Sequence, residues 1–276
     1  MYHTYWQLIK RPFEAALDSD FFYPGQAHQG ALAKLRYAID HRRGAAILVS
    51  EAGLGKTLLL QTLQQYTSQI VDPFVHIVYP KMNATARLAY ITMQLGADDD
   101  AAAAASIAQN VRAIEVLLQS NAENGNHTVL ILDEAHLLDS CDGLEIVRLL
   151  LNFEHSSGPS LTLLLAGQPS LLPMLKHHGA LEQRFAVQCL IPAFDLEETR
   201  NYITHRLSIA GASQTIFEED AIEAIHHVAA GIPREINRIC DLALLIGFVE
   251  QLPSLRLNHI ESIANEVTLM IPPQAA

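Results

Sequence analysis

Positive charge is scarce in this 276-residue chain: 18 lysines and arginines stand against 30 acidic residues, a formal net charge of −12. That balance argues against a broadly basic nucleic-acid surface, which binds by neutralising phosphates. The cluster His41, Arg42 and Arg43 is a local exception, and it fits the solvated end of a helix, where cations suit the C-terminal dipole. Cysteine is also rare. Cys141, Cys189 and Cys240 are odd in number and far apart, which excludes a disulfide framework and leads us to expect a reduced, cytoplasmic setting. Half the residues are apolar and the mean hydropathy is +0.15, yet the longest apolar run, LALLIGFV at 242 to 249, is far below the ~20 residues a membrane span needs. The surplus apolar content is therefore expected at subunit interfaces, with no direct membrane insertion. The start, MYHTYWQLIKRPF, has no continuous apolar core and no small-residue cleavage site, so export is not expected. The thirteen histidines include no H-E-x-x-H and no His/Cys cluster at ligand spacing. His177-His178 and His226-His227 read as helix residues.

What is present is chemistry for phosphate. AAILVSEAGLGKTLLL, residues 45 to 60, runs from an apolar strand through a glycine loop into a helix. Gly53 and Gly55 permit the tight turn that points backbone N–H groups and the helix N-terminus at a polyphosphate. Ala52, Gly53, Leu54, Gly55, Lys56, Thr57 and Leu58 are thus the expected ATP contacts, with Lys56 reaching the β- and γ-phosphates and Thr57 a ligand of Mg2+. The full G-x-x-x-x-G-K-[ST] pattern has glycine where this chain has Ser50, which we expect to close the strand at the cost of weakened geometry at most. A ligand-free surface turn would explain GLGKT alone, but not its place between strand and helix.

A second motif follows in HTVLILDEAHLL, residues 127 to 138, an apolar strand ending in Asp133-Glu134, with Asp133 77 residues beyond Lys56. Asp133 would hold Mg2+ through water, and Glu134 would polarise the attacking water. Asp133 could instead cap the following helix, but that leaves the ordered pair of motifs unexplained.

Along the chain, residues 1 to 25 are aromatic and irregular, ending at Pro24-Gly25. Helices are expected at about 29–42, to 68, 84–95, 106–122, 142–154 and 170–177, with strands at 45–50, 74–79, 127–132, 160–166 and 186–190. Asp98-Asp99-Asp100 and five alanines read as a biased loop. Beyond Pro192 four helices follow, at 195–210, 218–230, 233–250 and 258–270. The expected fold is α/β, a P-loop core with a parallel sheet flanked by helices, plus a C-terminal all-α lid. Its divisions are 1–25, 26–192 and 193–276.

These features resemble the AAA+ superfamily. MYHTYWQLIKRPFE, the phosphate loop, LILDEAHLL, LLLNFE, LLLAGQPSL, LEQRF and GIPREINRICD, in order from residue 1 to about 245, resemble the general secretion pathway protein A (ExeA) family. DEAH at 133–136 also occurs in helicases, but one core with a helical lid makes that a coincidence. The resemblance implies that Gln168 is a polar sensor at the γ-phosphate. Arg184 would be an arginine finger reaching a neighbouring subunit, and Arg234 a second sensor coupling the lid to nucleotide state. Phe13 would pack near the adenine, although it equally suits a core anchor. Longer members continue into a membrane span and a peptidoglycan-binding region, so a chain ending at Ala276 is expected to be a short stand-alone form. The function implied is a self-assembling ATPase serving a secretion, pilus or polysaccharide-export machine, cytoplasmic and peripheral at the inner membrane through partners. A DNA-associated, ATP-dependent regulator and a slow nucleotide switch remain open, so nucleic acid stays a less favoured partner.

Overall fold

The computed structural model describes residues 2–14, 19–67, 71–78, 82–138, 142–155 and 158–270, the last six as backbone only. The expected strand end at Tyr79 and the reading of Cys141 lie outside the described residues. Two compact units emerge.

The first comprises Gln26–Ala52 and Leu59–Ile191. Its sheet has five parallel strands, β1 (Ala45–Ser50), β2 (Phe74–Ile77), β3 (Thr128–Leu132), β4 (Leu161–Gly167) and β5 (Val187–Ile191), in the order β2-β3-β4-β1-β5. Composition explains the order. AAILVS, TVLIL and LTLLLAG are buried at every position, as strands covered on both faces must be. FVHI and VQCLI alternate between buried and more open positions and form the two edges. The register pairs Leu132 with Leu165, Val49 with Gly167 and Ser50 with Ile191, so the carboxyl ends of β1, β3 and β4 share one edge. Leu88, Ile114, Leu118, Val147 and Leu150 from the covering helices complete the core with Ile47, Leu130 and Leu163.

Two expectations are corrected. The segment read as a loop is a helix, Asp99–Ala104, because alanine is the best helix former and the Asp98 side chain accepts the Ala101 N–H at 2.9 Å. Asn110 fastens it by donating to the carbonyls of Ala102 and Ala105. The helix expected to reach 154 stops at Leu150, and Glu154–His155 pairs with Gly158–Pro159 in a short antiparallel ribbon.

The second unit comprises Met1–Gly25, Gly53–Leu58 and Pro192–Ala276. Its main helices are Leu196–Ile209, Glu219–Ala229, Pro233–Val249 and Leu257–Met270. The N-terminal aromatic residues, which include one helical turn at Tyr2–Tyr5, supply part of its core. Trp6 is 1% exposed, and its indole N–H donates to Leu244 O at 2.9 Å. A Cβ on Gly247 would fall 2.6 Å from the Trp6 ring, so this crossing requires glycine. Arg206 is buried yet satisfied: it donates to Pro12 O and to Tyr202 Oη, and its guanidinium lies 4.8 Å from the centroid of Phe21. Cys189 and Cys240, one in each unit, are free and buried, and burial pushes the Cys189 thiol up to about 11.

Candidate nucleotide site

β1 ends at Ser50, fully buried, with its hydroxyl donating to Glu51 O at 3.0 Å. The residue at the first glycine position of the loop pattern therefore closes the strand. Gly53 and Gly55 have φ of +83° and +86°, the left-handed region that glycine enters without strain. Lys56 opens the helix Lys56–Thr67 and is buried, while Thr57 and Leu58 are half-buried.

Within the helical unit the loop has a definite neighbour. The Arg234 N–H donates to Gly53 O at 3.3 Å, and a Cβ on Gly53 would lie 2.9 Å from Arg234 Cβ and 3.1 Å from Ile232 Cγ2. Pro233 begins the helix that carries Arg234, a position where its missing N–H costs nothing. The Arg234 side chain is exposed. Phe13 is 2% exposed, edge-on to Phe217 at 6.1 Å and beneath Arg206, the position of a core anchor.

The sheet unit gathers the acids. Asp133 follows β3, is fully buried, and donates its N–H to Ile77 O at 2.8 Å, extending the pairing of β2 and β3 by one residue. Its Oδ1 accepts the Glu134 N–H at 2.9 Å, and Oδ2 lies 3.4 Å from His76 Nε2. Glu134 adopts φ 53°, ψ 34°, a conformation few non-glycine residues take, so the chain leaves the strand abruptly at this residue. A 3-10 turn, Ala135–Leu137, follows, with Glu134 at its N-cap position making no side-chain cap. Gln168 comes directly after β4, and its N–H donates to His136 Nδ1 at 3.4 Å. Glu134 Oε2 is also 3.4 Å from that nitrogen. His76 and His136 were not singled out from the sequence; a polar residue inside a strand and the last letter of DEAH were the available signals.

The AAA domain family matches residues 39–175. The chain carries an AAA domain. General secretion pathway protein A of Aeromonas hydrophila is 32% identical over 273 residues, 97% of this chain; the chain spans about half (49%) of that relative's length. Among solved structures, the Aeropyrum pernix ORC2 protein in ADPNP and ADP complexes superposes with a TM-score of 0.68 at 15% identity, over 93% of this chain and 71% of the other. The Drosophila ORC bound to DNA gives 0.69 at 18%, over 97% and 66%. The Thermotoga maritima RuvB branch migration motor gives 0.56 at 18%, over 88% and 69%. At such identities these likenesses establish the fold alone.

The chain thus brings Asp133, Glu134 and Gln168 together in one unit and Gly53–Leu58 with Arg234 in the other. Arg184 is exposed in the sheet unit, with Nη1 donating to Leu151 O at 2.8 Å. The donors suit Mg2+, which favours hard oxygens and is commonly held by one or two protein groups plus substrate phosphates. Thr57 in the helical unit and the buried Asp133 carboxylate in the sheet unit each carry an oxygen of that kind. No cluster of three or more His, Cys, Asp or Glu suited to a metal, and no helix long and apolar enough to cross a membrane, occurs among the described residues.

Proposed function

We propose that this protein is an AAA+ ATPase that binds Mg·ATP on Gly53–Leu58, hydrolyses it with water activated by Glu134, and completes each site with Arg184 of a neighbouring copy. The observation that carries the reading is the end of β3, where adjacent carboxylates differ in environment. Asp133 is fully buried, and the Glu134 side chain is 38% exposed. The buried group suits a cation and the open one a water molecule. Lys56 neutralises the β- and γ-phosphates, while Thr57 and Asp133 hold Mg2+, which when bound offsets charge on the phosphate oxygens. Glu134 takes a proton from water as its oxygen bonds to the γ-phosphorus and the bond to the β-phosphate oxygen breaks. Gln168 orients that water, Arg234 contacts the γ-phosphate, and Arg184 stabilises the transferring group.

The relation to general secretion pathway protein A supports a place beside an envelope export machine, on its cytoplasmic side, with protein components as partners. The deciding experiment is ATP hydrolysis per subunit across a wide range of protein concentration, with Glu134→Gln as the blank. Specific activity should rise with concentration. Normal turnover by Glu134→Gln would overturn the assignment, and flat, near-zero turnover with ATP bound would identify a slow switch.

A further inference from the structure

Beside the acidic pair, two neighbours compete for one nitrogen. His136 Nδ1 is 3.4 Å from Glu134 Oε2 and 3.4 Å from the Gln168 backbone nitrogen. The imidazole side chain is only 10% exposed, so water is a poor substitute for either neighbour. A ring nitrogen accepts through its lone pair or donates through its proton, never both. Accepting from Gln168 needs a bare Nδ1 and puts the hydrogen on Nε2; donating to Glu134 needs Nδ1–H. Both separations are long for a hydrogen bond, so neither partner has fully won.

The backbone brings these groups into contact. A Cβ on Gly167 would lie 3.1 Å from His136 N and 3.5 Å from Ala135 N, so the end of β4 presses directly on the turn Ala135–Leu137. A shift at Gln168 reaches His136 because nothing compressible lies between them.

We propose that His136 is a positioning residue that couples Gln168 to Glu134 by exchanging one hydrogen bond. With Gln168 seated on Nδ1, the ring is the Nε2–H tautomer and Glu134 is released toward water. With Gln168 withdrawn, Nδ1 carries the proton and holds the Glu134 carboxylate. The single ring proton passes between nitrogens through solvent, and no other bond changes. The coupling rests on Glu134 as the activating group, but the tautomer can be read without turnover.

Imidazole 15N shifts of the full chain, recorded at about pH 8 with Mg·ADP and again with Mg and a non-hydrolysable ATP analogue, should show Nδ1–H for His136 in the first and Nε2–H in the second. One tautomer in both states would overturn the coupling. In turnover, His136→Asn, whose amide can present oxygen or NH2 at the same place, should keep kcat within about threefold, whereas His136→Leu should lower kcat by about tenfold with KM for ATP within about twofold. Equal losses in the two variants, or a change in KM alone, would also overturn it. Retained turnover in Glu134→Gln would instead defeat the hydrolytic assignment, leaving the tautomer result to decide whether the exchange occurs.

Discussion

Gly53 has two reasons to be glycine: a φ of +83° and the Arg234 and Ile232 side-chain atoms about 3 Å from where a Cβ would be. Gly53→Ala should destabilise the protein by about 1–3 kcal/mol and weaken ATP binding, measured by denaturant midpoint and by titration with a fluorescent nucleotide. His127 makes a different prediction. It is 5% exposed, with Nε2 2.8 Å from Thr162 Oγ1, and burial, followed by the charge of Arg42, lowers its pKa to about 4. In an unfolded chain the value is about 6.5. Between the two the unfolded chain binds the proton and the folded chain does not, so stability falls as pH drops through this window and is unaffected above it, by on the order of 2–3 kcal/mol in all. His127→Gln should flatten the change in unfolding midpoint between about pH 4.5 and pH 6.5; equal slopes would place the proton uptake elsewhere. The strand, glycine turn and helix of residues 45–60 and the place of Asp133-Glu134 at the end of β3 were legible in the sequence, because apolar runs and fixed glycine spacing leave a local trace. His136 was not, because its importance lies in a nitrogen that β4 and the turn after β3 approach from opposite ends of a 32-residue separation.

At the level of elements, uninterrupted apolar runs marked the central strands and alternation marked the edges, since burial on two faces or one leaves that trace. The helix Asp99–Ala104 was hidden for a physical reason: an alanine run has helix propensity but no apolar stripe, and its docking depends on Asn110. Asp98→Ala should cost about 1 kcal/mol through the lost cap. Asn110→Ala should cost a similar amount and speed amide exchange in the helix Asp99–Ala104 while leaving β3 protected. Uniform acceleration across both would show that the helix is not a separate opening unit. The early stop at Leu150 was equally invisible, because the Phe153 carbonyl is taken by the Ser160 N–H at 3.0 Å, a partner from the far side of the ribbon.

For the whole molecule, sites completed between copies can be tested by mixing. Arg184→Ala and Glu134→Gln should each be nearly inactive alone. An equimolar mixture should recover roughly a quarter of wild-type turnover, since random assembly places an intact glutamate beside an intact arginine at one interface in four. No recovery would mean that Arg184 serves only its own chain, where it already holds the Leu151 carbonyl. The helical unit draws on both ends of the chain, and this has a consequence for its birth on the ribosome. Trp6 waits for Leu244, 238 residues later, and Phe13 and Phe21 wait for Arg206. At cellular rates of translation the leading aromatic segment emerges with no burial partner for on the order of ten to fifty seconds. The nascent protein is therefore expected to need a holding chaperone early in synthesis, and its demand for one should end as the helix Pro233–Val249 clears the exit tunnel.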